Sequence, residues 1–257
     1  MTSGLINTNE LQRLNISNSV KNDLEKFVSA IIDSYGHNLI GIWLFGSSVS
    51  GDYIESQSDM NLLIVYSELD IDDLEKISGL AQKWFKKRRF APRFLSKRNL
   101  LESAKFFQID WMEIRDASML LYGQNILDEL PVSFIDMKWQ LSHEIKRMRM
   151  RIKQQFWKSI HDTKLMNSVL IQRITSIVHL MRVYLFLKTK VTPPTSNREI
   201  IDMCSKHIHI EKQFIETILA AKNSGKLIDK ESMPDYFTRL LNHIRLIDQA
   251  TDNLKAS

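Results

Sequence analysis

The chain has 257 residues, of which 44% are hydrophobic and 25% charged, a composition typical of a globular protein with one large domain or two smaller ones. Its single cysteine, Cys204, excludes an intramolecular disulfide and a cysteine-based zinc site, and the sequence shows neither a secretory signal nor an apolar run of about 18 residues, which predicts a cytoplasmic protein without a membrane span. The excess of 35 basic over 30 acidic residues is mild and permits a phosphate-bearing ligand without requiring one.

The first half of the chain alternates helical and extended patterns. An apolar helical stripe predicts a helix over Val20–Tyr35, and the next two apolar runs, Asn38–Phe45 and Met60–Tyr66, are typical of central strands buried on both faces. The remaining elements predicted for this half are a surface helix over Asp70–Lys87 and extended segments over Ala91–Leu95 and Phe106–Ile114.

The second half of the chain is helical almost throughout, with a stripe wide enough for the core of a helical bundle. The predicted helices are Phe134–Ile160, Lys164–Lys188, Arg198–Ser205, Ile210–Asn223 and Glu231–Asn253. Because the pattern changes between Gly123 and Pro131, we expect a first domain over residues 1–125 and a second over residues 126–257.

A glycine- and serine-rich turn joins the two predicted central strands. Gly46, Ser47 and Ser48 follow the first strand, Gly51 comes shortly after, and Ser58 precedes the second strand. A glycine without a side chain, followed by a short helix, lets backbone N–H groups and a small hydroxyl approach phosphate oxygens. The turn therefore predicts a phosphate-binding site.

The start of the next strand is where a metal would be held against those phosphates. Two acids separated by one residue would point to the same face of a strand and could hold a divalent cation. In this chain the pair is Asp59 and Asn61, so only one of the two positions carries a negative charge.

Together these residues resemble the nucleotidyltransferase superfamily, which includes DNA polymerase beta, kanamycin nucleotidyltransferase and antitoxin-type bacterial transferases. The resemblance implies an α+β fold, with a mixed sheet flanked by helices and followed by an all-α helical bundle domain. It further implies that a nucleoside triphosphate (NTP) and Mg²⁺ are the ligands. The phosphate contacts would come from Gly46, Ser47, Ser48, Gly51 and Ser58, and the metal contacts from Asp59 and Asn61.

The sequence departs from the family pattern at two positions. The amide of Asn61 can coordinate a cation but brings no charge. Members of the family usually carry a third carboxylate on a following strand, and matching that strand to Ala91–Phe94 finds no acid. Asp110 or Glu113 could replace it as a catalytic acid if the sheet were ordered differently.

Other candidates lie outside the motif. The basic run Lys86–Arg89 is interpreted as a solvated face. Lys146 and Arg149 share one face of a helix with Lys153, and they would bind the phosphates only if that face looked into the nucleotide cleft. Weaker candidates are an Arg173/His179 pair resembling helical ribonucleases, a His207/His209 pair, and Trp111, Trp139 and Trp157 as stacking residues. Each of these is better explained by ordinary helix structure and packing.

The functional hypotheses differ in whether the site can still catalyse transfer without the missing carboxylates. The first is a weakly active or inactive transferase that acts as a nucleotide-binding or regulatory protein, with a possible protein partner. The alternative is an active Mg²⁺-dependent enzyme that transfers a nucleoside monophosphate from an NTP to a hydroxyl of a small molecule or protein, its acceptor unknown. Nucleic-acid binding through the basic stripes is a less favoured third reading, and a steep salt dependence of binding would reveal it.

Overall fold

In the computed structural model, residues 7–36, 38–50, 53, 55, 58–194, 196–225 and 227–255 are described. The chain divides into two compact units, Met1–Val132 and Ser133–Ser257, which we call the N-terminal unit and the C-terminal unit. The boundary follows a short 3₁₀ helix at Leu127–Glu129 and the proline at position 131.

The N-terminal unit begins with α1 (Thr8–Arg13) and α2 (Asn18–Tyr35). Helix α2 starts where the Ser17 hydroxyl accepts a hydrogen bond from the Val20 backbone N–H, because the first turn of a helix has no carbonyl partners for its amides. Its buried face is the apolar stripe that predicted this helix.

A mixed sheet lies at the centre of the N-terminal unit. Its described strands are β1 (Leu39–Phe45), β2 (Met60–Tyr66), β3 (Phe90–Ser96) and β4 (Ser118–Gly123). Their order is β3-β2-β1-β4; β1 is antiparallel to β2 and β4, whereas β2 is parallel to β3. The parallel pair is joined by α4 (Ile71–Arg88), in agreement with the helix that a parallel crossover requires.

Both faces of the sheet are covered, which explains why β1 and β2 are almost continuously apolar. One core holds Ile42, Leu44, Leu62 and Ile64 together with the buried side of α2. The opposite core holds Trp43, Phe45, Leu63 and Val65 with the helices that follow β3. Alternate side chains of a strand point to opposite faces, so each core takes every second residue.

The extended segment predicted over Phe106–Ile114 is wrong. The chain there forms α5 (Lys97–Phe106) and α6 (Gln108–Asp116), and the last strand, β4, comes afterwards. Trp111 and Ile114 are buried three residues apart, a spacing that fits one face of a helix. A short apolar segment fits the helical and the extended pattern equally well, so packing onto the sheet determines which secondary structure forms.

The C-terminal unit is all-α in its described residues. Its helices are α7 (Phe134–Ser159), α8 (Thr163–Thr189), α9 (Asn197–Ser205), α10 (Lys212–Ser224) and α11 (Met233–Asp252). The predicted fold class, a mixed α+β sheet flanked by helices and followed by a helical region, is confirmed.

Helix α8 is the central helix of this unit. By length and composition it could cross a membrane, with a mean hydropathy of 1.3 over its most apolar window, and no other helix among the described residues passes the same test. However, 61% of that window is buried inside the protein. This burial is typical of the core helix of a bundle, so the composition of α8 is weak evidence for a membrane span.

Candidate functional site

The pairing register brings the motif residues to one edge of the sheet. Phe45, the last residue of β1, pairs with Asn61 near the start of β2 and with Ser118 at the start of β4. Asn61 pairs in turn with Ala91 near the start of β3. The turn after β1 therefore lies beside the first residues of the other three strands.

Gly46 gives the turn its shape. Its φ of +82° belongs to the left-handed region, which side chains disfavour, and its N–H donates to the Ala117 carbonyl at 3.2 Å while its carbonyl accepts from the Val49 N–H at 2.9 Å. The chain then enters the short helix α3 (Ser47–Ser50). The Ala117 carbonyl, just before β4, and the short helix α3 thus hold the turn in place.

The serines after Gly46 have different surroundings. Ser48 is buried, and its hydroxyl donates to the Phe45 carbonyl at 3.5 Å, so it closes the turn from inside. Ser47 is half-buried, and none of the described residues forms a hydrogen bond with its hydroxyl. Of the two, Ser47 is the better donor to a ligand. Gly51, also predicted at this site, lies outside the described residues.

Asn61 lies against the turn. A Cβ atom built on Gly46 would lie 3.3 Å from the Asn61 side-chain nitrogen, so the absence of a side chain at Gly46 leaves this space open. Asn61 is half-buried, and its amide forms no side-chain hydrogen bond with the described residues. The amide is therefore placed to contact a ligand held in the turn.

Asp59 does not present a free carboxylate. The Arg89 guanidinium Nε donates to Asp59 Oδ1 at 2.8 Å, with the two side chains 50% and 43% exposed. The backbone joins the same region, because the Met60 N–H donates to the Arg89 carbonyl at 3.0 Å. The acid predicted to bind metal thus forms an ion pair with Arg89, the residue that caps the C-terminal end of α4.

The position expected for a third carboxylate is occupied by Ala91, the register partner of Asn61. Two residues further along β3, on the same face, stands Arg93. Arg93 is exposed, its guanidinium carbon lies 5.3 Å from the centre of the Phe45 ring, and no carboxylate of the described residues pairs with it. A cation therefore lies two residues from the position at which the family pattern implies an anion.

A buried acid lies beside the turn on the side of β4. Asp116 is next to Ala117, whose carbonyl holds Gly46, and its side chain is only 6% exposed. Its Oδ1 accepts from Arg115 Nε at 3.2 Å, whereas its buried Oδ2 has no hydrogen-bond partner among the described residues. Asp116 and Arg115 were not among the sequence-based candidates.

The residues at this sheet edge do not fit a magnesium clamp. Within the described ranges no group of three or more His, Cys, Asp or Glu side chains could hold a metal ion. Asp59 is engaged by Arg89, and Asn61 and Ala91 bring no charge. Proteins usually hold Mg²⁺ through one or two carboxylates together with the substrate phosphates, so this set would bind it poorly.

The other predicted site residues of the N-terminal unit are placed as follows. Ser58 is half-buried just before β2. Asp110 stands in the first turn of α6 and is exposed, and Glu113 lies on the same helix. Their predicted strand position was therefore wrong, and a catalytic role for Asp110 stays a prediction.

The basic run at the end of α4 is not a merely solvated face. Lys87 and Arg88 both donate to the buried Asp23, at 2.9 and 2.6 Å, and Arg89 pairs with Asp59. Hydrogen bonds from Lys87 and then Arg88 hold the pKa of Asp23 below its ordinary value, although burial opposes this shift. The run thus attaches the end of α4 to α2 and to the motif.

In the C-terminal unit, Lys146 has partners within its own bundle. Its Nζ lies 2.9 Å from Asp248 Oδ1 on α11, whereas Arg149 is exposed with no ion pair among the described residues. Trp139 and Trp157 on the same helix are also exposed. A contact of Lys146 or Arg149 with nucleotide phosphates stays a prediction.

The remaining weak candidates are placed as follows. Trp111 is buried and donates to Ser103, and Arg173 donates to Gln155. His179, His207 and His209 are exposed.

Sequence reasoning missed Arg89, Arg93 and Asp116 as site residues for identifiable reasons. The segment Ala91–Leu95 was predicted to be a strand without an acid. Arg93 could therefore have been identified as a site residue once β3 was placed beside β2. Arg89 and Asp116 gave no such signal, because their positions follow from the end of α4 and from the misassigned segment before β4.

Comparisons with known proteins complete the description. No protein-family model and no curated protein matches the chain by sequence. Among solved structures, the chain is similar to spectinomycin adenyltransferase AAD(9) from Enterococcus faecialis, crystallised with ATP and spectinomycin. The TM-score is 0.52, the sequence identity is 18%, and the match covers 87% of this chain and 98% of the other.

Two further solved structures match at lower TM-scores. One is a nucleotidyltransferase-like protein from Exiguobacterium sibiricum, with a TM-score of 0.39, 12% identity, and coverage of 88% of this chain and 74% of that one. The other is a toxin–antitoxin structure with AMP-PNP, with a TM-score of 0.32, 20% identity, and coverage of 48% and 92%. From the sheet, the turn and the AAD(9) match, we conclude that the chain shares the fold of the spectinomycin adenyltransferase AAD(9).

Proposed function

We propose that this protein binds a nucleotide at the Gly46 turn and has lost most or all of the metal-dependent transfer activity of its fold. The observation that carries the proposal is the ion pair between Asp59 and Arg89 beside an uncharged Asn61. Support for a nucleotide as ligand comes from the shape of the turn and from the spectinomycin adenyltransferase of the same fold, which was crystallised with ATP.

The expected loss of rate follows from charge. In metal-assisted phosphoryl chemistry the bound metal contributes on the order of several kcal/mol of transition-state stabilisation, which is lost as its carboxylate ligands are lost. About 1.4 kcal/mol corresponds to tenfold in rate. One acid is absent at Asn61, and the position across the strand pair is Ala91. Two such losses remove many powers of ten, so we expect no useful turnover.

The chain's own residues would still position a nucleotide. The Ser47 hydroxyl and the Asn61 amide lie at the turn without hydrogen-bond partners among the described residues, and both can donate to phosphate oxygens. A binding protein of this kind would act through a partner or by sequestering its ligand. Binding, without chemistry, is what these groups can supply.

The test measures binding and turnover separately. Calorimetric titration of the full chain with nonhydrolysable ATP and GTP analogues, with and without Mg²⁺, reports binding. A pyrophosphate-release assay with ATP or GTP, alone and with spectinomycin as a trial acceptor, reports turnover. We expect binding of at least one analogue and no release above background. Mg²⁺-dependent release by the native chain, or no binding under any condition, would overturn the proposal.

Two variants connect the test to the motif. Asn61→Asp returns one acid, and Asn61→Asp combined with Arg89→Gly also frees Asp59 from its ion pair. We expect Mg²⁺ affinity to rise in that order, measured by titration with Mg²⁺ in the absence of nucleotide. Equal Mg²⁺ affinity in all three chains would contradict the charge argument.

A further inference from the structure

The sheet edge next to the turn carries more positive than negative charge. Three guanidinium groups lie in this region: Arg89 directly precedes β3, Arg93 is the fourth residue of β3, and Arg115 lies three residues before β4. The carboxylates there are those of Asp59 and Asp116. Both carboxylates accept a hydrogen bond from one of those arginines. Of these three arginines, only Arg93 has no carboxylate partner in the described part of the chain.

Packing restricts where the Arg93 guanidinium can go. The group lies over the ring of Phe45, 5.3 Å from the centre of the ring, and Phe45 is only 6% exposed. An arginine that stacks on an aromatic face keeps its N–H groups free at the edges for a planar, bidentate contact. Because Phe45 directly precedes Gly46, the stacked guanidinium lies at the same edge of the sheet as the turn.

We infer that Arg93 takes the place of the missing metal, so that the site binds the polyphosphate of a metal-free nucleotide directly. This inference rests on the proposed function, because it concerns the ligand of the same site. An arginine binds phosphate through charge-assisted, often bidentate hydrogen bonds and needs no divalent cation as a bridge. Metal-free nucleotide carries more negative charge than its Mg²⁺ complex and is therefore the better ligand for a site of net positive charge.

The inference makes three expectations for ligand choice. In EDTA, ATP and inorganic tripolyphosphate bind, because the phosphates supply the contacts, whereas adenosine does not bind. Adding Mg²⁺ weakens the binding of ATP. Arg93→Ala lowers the affinity for both polyphosphates by about tenfold to a hundredfold, the range expected for losing a hydrogen bond to a charged group.

The matched control is Arg98→Ala on α5. Arg98 is also an arginine of the N-terminal unit, and its side chain is 82% exposed with only a long contact of 4.0 Å to Glu102. The Arg98→Ala variant therefore removes the same charge at a position away from the turn. Arg93→Lys keeps the charge without the planar guanidinium and covers the case in which Arg93→Ala fails to fold. We expect Arg98→Ala to bind like the native chain and Arg93→Lys to lie between the native chain and Arg93→Ala.

The experiment is calorimetric titration of the full chain and the three variants with ATP, tripolyphosphate and adenosine, in EDTA and in Mg²⁺. Nucleotide binding that requires Mg²⁺, or equal affinities for Arg93→Ala and Arg98→Ala, would overturn the inference and leave the proposed function standing if no pyrophosphate is released. Binding of no polyphosphate under either condition would overturn both. The native chain alone, compared in EDTA and Mg²⁺, decides the metal question whatever the folding of the variants.

Discussion

Arg89 offers the sharpest stability test at the site, because its backbone angle lowers the free energy of unfolding whereas its ion pair raises it. Its φ of +55° lies in the left-handed region, where a residue other than glycine costs about 1 kcal/mol. Its ion pair with Asp59 is about half exposed on both sides, so solvent screening limits the gain to about 0.2–1 kcal/mol. The two terms nearly cancel.

Replacing Arg89 by glycine should therefore leave the free energy of unfolding unchanged or raise it by up to about 1 kcal/mol. Arg89→Ala loses the ion pair but keeps the unfavourable backbone angle, so it should be less stable than Arg89→Gly by about 1 kcal/mol. Urea unfolding of the full chain, followed by tryptophan fluorescence and circular dichroism, measures both differences.

Two controls isolate the terms. Lys190 is the other non-glycine residue with a positive φ among those described, at +60°. Its Nζ lies 3.5 Å from the centre of the Phe134 ring, so the comparison of Lys190→Gly with Lys190→Ala, which both lose this contact, tests the backbone term away from the site. A double-mutant cycle of Arg89→Ala with Asp59→Asn gives the ion-pair term, expected at about 0.2–1 kcal/mol. Equal stability of Arg89→Gly and Arg89→Ala, or a coupling above about 2 kcal/mol, would refute the reasoning.

Three further predictions concern stability and pH. Gly46→Ala should lose about 1–2 kcal/mol in urea unfolding, because alanine disfavours a φ of +82°, and should weaken nucleotide binding in the titrations above; unchanged stability would show that the turn relaxes. Asp23→Asn should lose about 1–3 kcal/mol at pH 7. Because the native pKa of Asp23 is lowered, the advantage of the native chain over the variant should shrink progressively as the pH falls below about 4; a difference that stays constant between pH 4 and pH 2 would contradict this. Burial lowers the pKa of His243, whose ring accepts a hydrogen bond from the Glu211 N–H. As the pH falls below 6.5, the free energy of unfolding should therefore fall by up to about 1.4 kcal/mol per pH unit. His243→Gln should lack this slope, and the control variant His207→Gln, at an exposed histidine, should keep it.

The local elements could be predicted from sequence wherever a single pattern dominated. Strand β2 was predicted at its observed limits, Met60–Tyr66, because a short continuous apolar run between polar turns is typical of a buried strand. The segment Phe106–Ile114 failed because its apolar residues fit both periods and only packing against the sheet decides between them.

The site was partly predictable for the same reason. The turn at Gly46 and the missing acids at Asn61 and Ala91–Phe94 are properties of the sequence itself, and the register confirms that Ala91 stands beside Asn61. The ion pair that occupies Asp59 joins residues 30 positions apart. No local pattern carries that information.

The sequence by itself determined the fold class, the phosphate-binding turn and the uncharged position at Asn61, because spacing along one chain segment fixes strand faces and turn geometry. Only the tertiary structure decided the sign of the charge at the site. It placed Arg89 on Asp59 and stacked Arg93 on Phe45, through strand order and the end of α4. Charges act through space, so the electrostatics of a site are settled only when distant segments are brought together.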